Sequence, residues 1–340
     1  MRSFASDNNA SVHPSILLAI QEANTGHARG YGDDPWTASA TAQFKETFAA
    51  DCETLLVFNG TGANVIALSL LLDRYHSVLC HAGAHISCDE CGAPELMTSA
   101  KLTLVHNSDG KVHPADVEKF VVTRGVVHHV QPRAVSISQT NELGRCYTKD
   151  ELVALAECCK QHGLLLHMDG ARLSNAAAAL NCSLADLTHG CGIDVLSFGG
   201  TKNGLLLGEA IVIFNPSLFG RAQFIRKQTA QLASKMRYIA AQFIPYLRDE
   251  LWRVNAVQAN RMAKRLEQEI ASLPQIRLTQ PVEANALFAV LPAHAITALQ
   301  SRYFFYVWNA ALNEVRWMTS FDTSAEDVTE FARAIKDATA

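Results

Sequence analysis

The stretch from Leu164 to Phe214 sets the tightest limit on how this chain can fold. It reads LLLHMDGARLSNA, then a spacer, then GIDVLSFGGTKNGLLLGEAIVIF. The apolar run Leu164-Leu165-Leu166 is followed closely by Asp169. A second run, Val195-Leu196-Ser197-Phe198, ends in Gly199-Gly200-Thr201 and then a single Lys202. Short apolar runs bounded by glycine read as buried parallel strands. Open sheets of such strands place their working residues at the carboxyl ends. Asp169 and Lys202 both fall where a strand ends, so one crevice can receive a carboxylate and an amine.

Two chemistries suit that pair. One is a structural ion pair. The other is a pyridoxal phosphate (PLP) site, in which the amine forms a Schiff base with the cofactor and the carboxylate keeps its pyridine nitrogen protonated. The two residues alone leave both open.

The composition narrows the classes without choosing between them. Of 340 residues, 49% are hydrophobic and 18% are charged, as in a globular protein with room for a large domain and a smaller one. The net charge of −4 and the absence of a basic block argue against nucleic acid as a partner. No apolar run approaches the roughly 20 residues of a membrane span, and MRSFASDNNA lacks the apolar core of a signal peptide. Nine mostly scattered cysteines suit a reducing, cytoplasmic setting. Cys88 and Cys91 form one CxxC, but no second pair completes four ligands. They read as loop thiols, and no metal site is expected.

Along the chain, Pro14 opens a predicted helix, SILLAIQEAN, closed by Gly26. The loop HARGYGDDPW reads equally as a connector or as a segment facing a site. A helix is predicted over Ser39–Phe48 and a strand over Thr54–Phe58. Asn59-Gly60-Thr61-Gly62-Ala63-Asn64 then leads into a helix ending near Leu72. A strand, a glycine turn and a helix present backbone N–H groups to an anion. The turn is neither a Walker loop nor a dinucleotide fingerprint and suits a single phosphate. Further strands are predicted over Ser77–Cys80, Leu102–Val105, Ala134–Ser138, Leu164–Met168 and Ala210–Phe214. Thr148-Lys149-Asp150-Glu151 is a capping box for a helix reaching about Gly163. His85, shortly after a strand, is either a surface histidine or one that stacks on a flat ring and handles protons.

This alternation gives a mostly parallel, doubly wound α/β sheet over residues 1–240. Two long helical regions, about Leu218–Ala241 and Ile244–Leu273, bridge into a smaller α+β unit over 241–340. That unit has strands near Ala286–Leu291, Arg302–Trp308 and Val315–Met318 and a last helix over Ala325–Ala338. Arg226, Lys227, Lys235 and Arg237 read as a solvated helix face. Arg316, alternating with Val315 and Trp317, faces either water or a cleft where it would grip a carboxylate.

Taken in order, GTGAN, AH…E, HMDGAR and SFGGTKN resemble the L-threonine aldolases, PLP enzymes of the aspartate aminotransferase superfamily (fold type I). The resemblance spans nearly the whole chain, including SDN at Ser6, YGDDPW at Tyr31 to Trp36 and the arginine of EVRWM. It is greatest to the bacterial low-specificity branch, to which phenylserine aldolases are also similar. It implies a PLP-dependent transferase-like fold and retro-aldol cleavage of L-threonine or L-allo-threonine, with L-phenylserine as a further substrate. The products would be glycine and an aldehyde. β-Elimination or transamination on the same fold is the alternative.

By resemblance, Lys202 carries the cofactor and Asp169 pairs with its pyridine nitrogen. Gly60, Thr61 and Gly62 hold the phosphate, which Arg237 of a neighbouring subunit also reaches, with Lys227 a weaker match. Ser6, Arg172 and Arg316 clamp the substrate carboxylate, Arg172 also reaching the ring hydroxyl. His85 stacks on the ring and is the candidate base, alone or through a water shared with Glu90. Tyr31 lies near a partner's site. Where relatives carry a histidine near the substrate side chain, this chain reads SQTNELGR, with Asn141 as the match and Glu142 beside it. The resemblance also implies a homo-oligomer, a dimer of dimers (homotetramer), working in glycine biosynthesis or threonine catabolism.

Overall fold

A computed structural model describes residues 2–340; Met1 lies outside the described residues. The strands are β1 (Glu53–Val57), β2 (His76–His81), β3 (Lys101–Val105), β4 (Gln131–Ser138), β5 (Leu165–Gly170), β6 (Val195–Gly199), β7 (Glu209–Ile213), β8 (Arg277–Leu278), β9 (Ala286–Val290), β10 (Tyr306–Asn309) and β11 (Glu314–Met318). The helices are α1 (Pro14–Ala23), α2 (Pro35–Phe48), α3 (Gly60–Leu71), α4 (His85–Cys88), α5 (Ala93–Thr98), α6 (Pro114–Phe120), α7 (Lys149–Gln161), α8 (Leu173–Ala179), α9 (Ala222–Gln228), α10 (Arg237–Arg248), α11 (Leu251–Ile270), α12 (Ala293–Gln300) and α13 (Ala325–Thr339).

Seven strands form one sheet in the order β1-β7-β6-β5-β4-β2-β3. β2 to β6 pair in parallel, while β7 runs against both β6 and β1. β6 and β7 are buried throughout, because helices cover both faces of the sheet. Alternate residues serve the two faces. Leu196, Phe198, Ala210 and Val212 join the cluster holding Phe44, Phe48, Phe243 and Tyr246. Val195, Ile211 and Ile213 join Ile66, Leu68 and Val78 beneath α3. A second sheet, β10-β11-β9-β8, is antiparallel. Its core gathers Trp317, Phe305, Phe331 and Leu287. The N-terminal segment joins this second core. Phe4 stacks on Phe331 at 4.1 Å, and its carbonyl accepts the N–H of Met318 at 2.8 Å.

Most strands fall close to where the apolar runs placed them, and Thr148 and Glu151 form the predicted reciprocal cap, but β10 begins at Tyr306, four residues after the predicted Arg302, which lies in a turn. The helices differ in three places. α2 starts four residues before the predicted Ser39, because Asp34 caps Thr37 N–H at 2.8 Å and Pro35 follows at the first helical position. The region 218–241 splits into α9 and α10. The predicted helix from Ile244 is likewise two pieces, broken at Glu250, whose φ is +50°. Tertiary packing against α2 and α8 separates what helical periodicity joined.

Candidate active site

The parallel strands share one carboxyl end, and the motifs converge there. β1 leads into the N-terminus of α3, β2 into His85, β4 into Glu142, β5 into Asp169 and β6 into Lys202. Gly199 makes the β5–β6 approach possible. A Cβ at that position would lie 2.5 Å from the carbonyl oxygen of Ala171, so only glycine lets the Lys202 turn close over the Asp169 turn.

Asp169 is buried. Its carboxylate accepts Asn64 Nδ2 at 2.9 Å and the N–H of Ala171 at 3.0 Å. Burial alone would raise its pKa, but the Lys202 charge and these two donors outweigh that and hold it below the usual carboxylate range. The Lys202 pKa is lowered too, which here disfavours the charge. Burial first, then the nearby Arg172 guanidinium, lowers its pKa despite Asp7 and Asp169. A lysine so placed is a better nucleophile near neutrality. Among the described residues, no ion pair or hydrogen bond joins Lys202 to Asp169. The direct structural ion pair that the sequence left open is therefore not formed. The two groups face one crevice without touching.

His85 sits on the rim. Its Nδ1 lies 2.8 Å from Glu90 Oε1, which also accepts Asn64 Nδ2 at 2.7 Å. The hydrogen bond to Glu90 raises the imidazole pKa against the lowering effect of burial. An Nδ1–H held by a carboxylate leaves Nε2 as the basic nitrogen. A continuous chain of polar contacts thus runs from His85 through Glu90 and Asn64 to Asp169. Asn64 lies inside the GTGAN motif, but the sequence reading assigns it no role. Nothing in that motif shows that its side chain bridges two carboxylates from β5 and the 85–92 loop.

Gly60 and Thr61 open α3 behind Asn59, whose side chain caps Gly62 N–H at 2.8 Å. A Cβ on Gly60 would meet nothing within 4 Å, so the helix start is open in front. Gly62 is different, because a Cβ there would strike the Gln231 amide at 2.3 Å. Gln231 also accepts the Phe58 N–H at 3.0 Å and so walls one side of the turn.

The expected carboxylate clamp is assembled unevenly. Arg172 is bonded bidentately to Asp7, at 2.7 Å and 2.8 Å, and Asn285 donates to the same carboxylate at 3.1 Å. Its charge is already matched by the residue after Ser6, because a buried guanidinium needs a carboxylate partner. The Ser6 hydroxyl accepts Asn8 N–H at 3.2 Å as a local cap. Arg316 has no carboxylate partner among the described residues. It donates to the carbonyl of Ala5 at 3.3 Å and lies 4.7 Å from the Trp308 ring, while its Nε is buried without a partner. Burial, then repulsion from Arg172, pushes its pKa down to about 10.

Two predicted site residues, Arg237 and Tyr31, make their contacts elsewhere in the chain. Arg237 donates to the carbonyls of Thr25 and Gly26 at 3.2 Å and 3.3 Å, on the α1–α2 connection. Tyr31 is 57% exposed beneath Lys227, whose Nζ lies 5.4 Å from its ring. Arg226, read as solvated, is half-buried and reaches the carbonyl of Leu56 at 3.4 Å. Asn141 is committed to its own turn. It accepts the N–H groups of Leu143 and Arg145 and donates to the carbonyl of Asp109 at 2.7 Å. Glu142 enters the crevice instead, accepting the His85 N–H and the Ser138 hydroxyl, each at 2.8 Å. Burial raises its pKa. His167, within the HMDGAR motif, is locked between the hydroxyls of Ser136 and Ser197, and burial pushes it down to about 4.

A second buried carboxylate lies under the lysine turn. Glu209 accepts the N–H of Gly200 at 2.7 Å, and burial pushes it up to about 7. A charge opening the otherwise apolar strand AIVIF was its only mark in the sequence.

These residues fit PLP. An open helix start, a buried carboxylate facing an amine of lowered pKa, and partnerless atoms on Arg316, Glu90 and Asn64 surround one crevice. The Beta-eliminating lyase family matches residues 3–293. The chain belongs to this family. Within it, the chain is 46% identical over 334 residues to the low specificity L-threonine aldolase of Pseudomonas aeruginosa, covering 98% of this chain and 96% of that one. A threonine aldolase structure from Leishmania major superposes with a TM-score of 0.94 at 32% identity, covering all of both chains. The aspartate aminotransferase of Thermus thermophilus shares the fold, with a TM-score of 0.71 at 16% identity over 99% of this chain and 90% of the other. The beta-eliminating lyase fold is thus the PLP-dependent type I architecture, a large mostly parallel sheet with a smaller antiparallel unit.

Proposed function

We propose that this chain is a PLP-dependent carbon–carbon lyase that cleaves L-threonine and L-allo-threonine, and L-phenylserine where the aldehyde side fits, to glycine and an aldehyde. One observation carries the reading: the lysine and its carboxylate partner face one crevice without touching, while a free guanidinium and a carboxylate-held histidine flank it. The relatives' activity agrees with it.

Lys202 would bond PLP, Asp169 would hold the proton on its pyridine nitrogen, and the α3 start with Gly60 and Thr61 would take the phosphate. The cofactor supplies an electron sink for the pair released when the Cα–Cβ bond breaks. The chain's own groups do the rest. Arg316 binds the substrate carboxylate and so fixes which Cα bond can break. His85 Nε2, kept basic by Glu90, accepts the proton of the β-hydroxyl directly or through a water. Glu142 stands beside His85 and lines the side-chain end of the crevice.

The protein works as a homo-oligomer, with Arg237 and Tyr31 reaching a neighbour's crevice. A dimer of dimers and a cytoplasmic role in glycine supply or threonine breakdown are part of the same proposal. Nine free thiols agree with a reducing compartment. Among the described residues no helix is long and apolar enough to cross a membrane.

The test is product analysis of the PLP-loaded protein with threonine, phenylserine and serine, beside Lys202→Ala. Acetaldehyde or benzaldehyde with stoichiometric glycine is expected, and Lys202→Ala is expected to lose both the visible lysine-bound PLP band and turnover. Pyruvate or another keto acid in place of aldehyde and glycine would move the assignment to elimination or transamination.

A further inference from the structure

Outside the crevice, a second group of ligand-type side chains meets where α6 packs on α7. Cys158 and His162 are four residues apart, and His162 N–H donates to the Cys158 carbonyl at 3.2 Å. The last turn of α7 is therefore still helical, and both side chains rise on one face. Glu118 comes across from α6. Its Oε1 lies 3.0 Å from His162 Nε2 and 3.8 Å from Cys158 Sγ. All three ligand atoms lie within 4.8 Å of one another. A tetrahedral zinc ion, about 2.0 Å from N or O and about 2.3 Å from S, holds its donors roughly 3.3–3.8 Å apart. The two Glu118 distances lie close to this range, and sulfur and nitrogen are within 4.8 Å of each other.

Burial gives the cluster a floor and a mouth. Cys158 is buried, whereas the side chains of His162 and Glu118 are 26% and 57% exposed. A cation would enter past the carboxylate and settle on the sulfur, keeping one position for water. A surface His–Glu pair needs no third group. The thiol converts it into a set of sulfur, nitrogen and oxygen donors that suits zinc and its neighbours rather than magnesium or calcium.

We propose that Glu118, Cys158 and His162 form a binding site for a divalent borderline cation, zinc being the representative, that clips α6 to α7. On binding, the thiol releases its proton to water and the sulfur bonds the metal, with no change of oxidation state. Glu118 lies 40 residues upstream of Cys158, which is why the sequence shows only an unremarkable Cys-x3-His.

The experiment uses untagged, PLP-loaded protein, stripped with a chelator and then titrated with zinc sulfate against a chromophoric competitor. Bound metal is counted after gel filtration. Cys158→Ala, His162→Ala, Glu118→Gln and His85→Ala are compared, because His85, Glu90 and Asp169 form the other cluster of ligand atoms. One zinc per wild-type chain is expected, with affinity lowered by about tenfold or more in the first three variants and unchanged in His85→Ala. Zinc should raise the thermal midpoint of the wild type but not of His162→Ala, and Cys158→Ala should cleave substrate normally. Three results would overturn the proposal: no zinc retained at micromolar concentration, retention in His162→Ala, or loss confined to His85→Ala.

Discussion

Arg316 and Arg172 are two buried guanidiniums with opposite prospects. Asp7 already neutralises Arg172, so replacing Arg172 strands a buried carboxylate and should cost folding as well as function. Arg316 is matched by a carbonyl and an aromatic face, and its Nε has no partner. Arg316→Ala should therefore leave the fold nearly intact and cut kcat/KM by about a hundredfold, the worth of a charge-assisted bidentate contact. Arg316→Lys should recover little, since an ammonium cannot reproduce the planar fork. Steady-state kinetics with unfolding curves separates the two effects. Equal loss of stability and activity would remove Arg316 from the substrate site.

Glu209 makes the residue scale pH-dependent. Its folded pKa, about 7, lies above the ordinary 4.5 because burial disfavours the charge. An acid raised in this way is fully stabilising below pH 4.5, and its contribution is lost as pH rises from there through 7. The interval corresponds to roughly 3 kcal/mol as an upper figure. Glu209→Gln keeps an acceptor for the Gly200 N–H without the charge. In cofactor-free protein the variant should gain stability over wild type progressively between pH 5 and 8. A difference in thermal midpoint that stays flat with pH would show that Glu209 is ionised throughout.

At the scale of elements, the sequence carried most of what depends on one strand or one cap. The apolar runs marked β5, β6 and β7, and Thr148 with Glu151 marked the start of α7, because these signals are local. What depended on distant partners was not legible. The break at Glu250 follows from packing, the Asp7–Arg172 bond joins residues 165 apart, and the bridge made by Asn64 exists only once α3 lies across β5. For the same reason Asn141, placed near the substrate by its position in the motif, serves its own turn while Glu142 enters the crevice. Gly199 is the point where one residue decides an element's placement. With a backbone oxygen 2.5 Å from the missing Cβ, Gly199→Ala must push β6 away from the Asp169 turn. The expected result is a lower thermal midpoint together with loss of PLP binding measured by absorbance. An alanine variant that binds PLP normally would show that the two strand ends are free to separate.

At the scale of the whole molecule, exposed leucines lie on two segments, one of which follows the lysine turn. Leu206 and Leu207 follow the lysine turn at 49% and 37% exposure, and Leu17 and Leu18 on α1 are 50% and 55% exposed. The two segments are tied together where His13 N–H donates to the carbonyl of Gly204 at 2.9 Å. Four exposed leucines on adjoining segments are costly to leave in water, and exposed apolar surface of this kind ordinarily marks a contact with a partner. A second copy is the occupant under the proposed shared site, in which Arg237 and Tyr31 would act in a neighbour's crevice. Placing carboxylates on both segments, Leu18→Asp with Leu206→Asp, should break the assembly at this face and lower the sedimenting mass below that of the wild type. It should also depress turnover, because Lys202 lies four residues from Leu206 and the crevice would lose its neighbour's side. Leu312→Asp, which charges an exposed leucine on the second sheet's unit, is the control for added charge alone. A wild-type chain that already sediments as a fully active monomer would refute the shared site. A double variant that keeps the wild-type size would show that the leucine face is not the contact between copies.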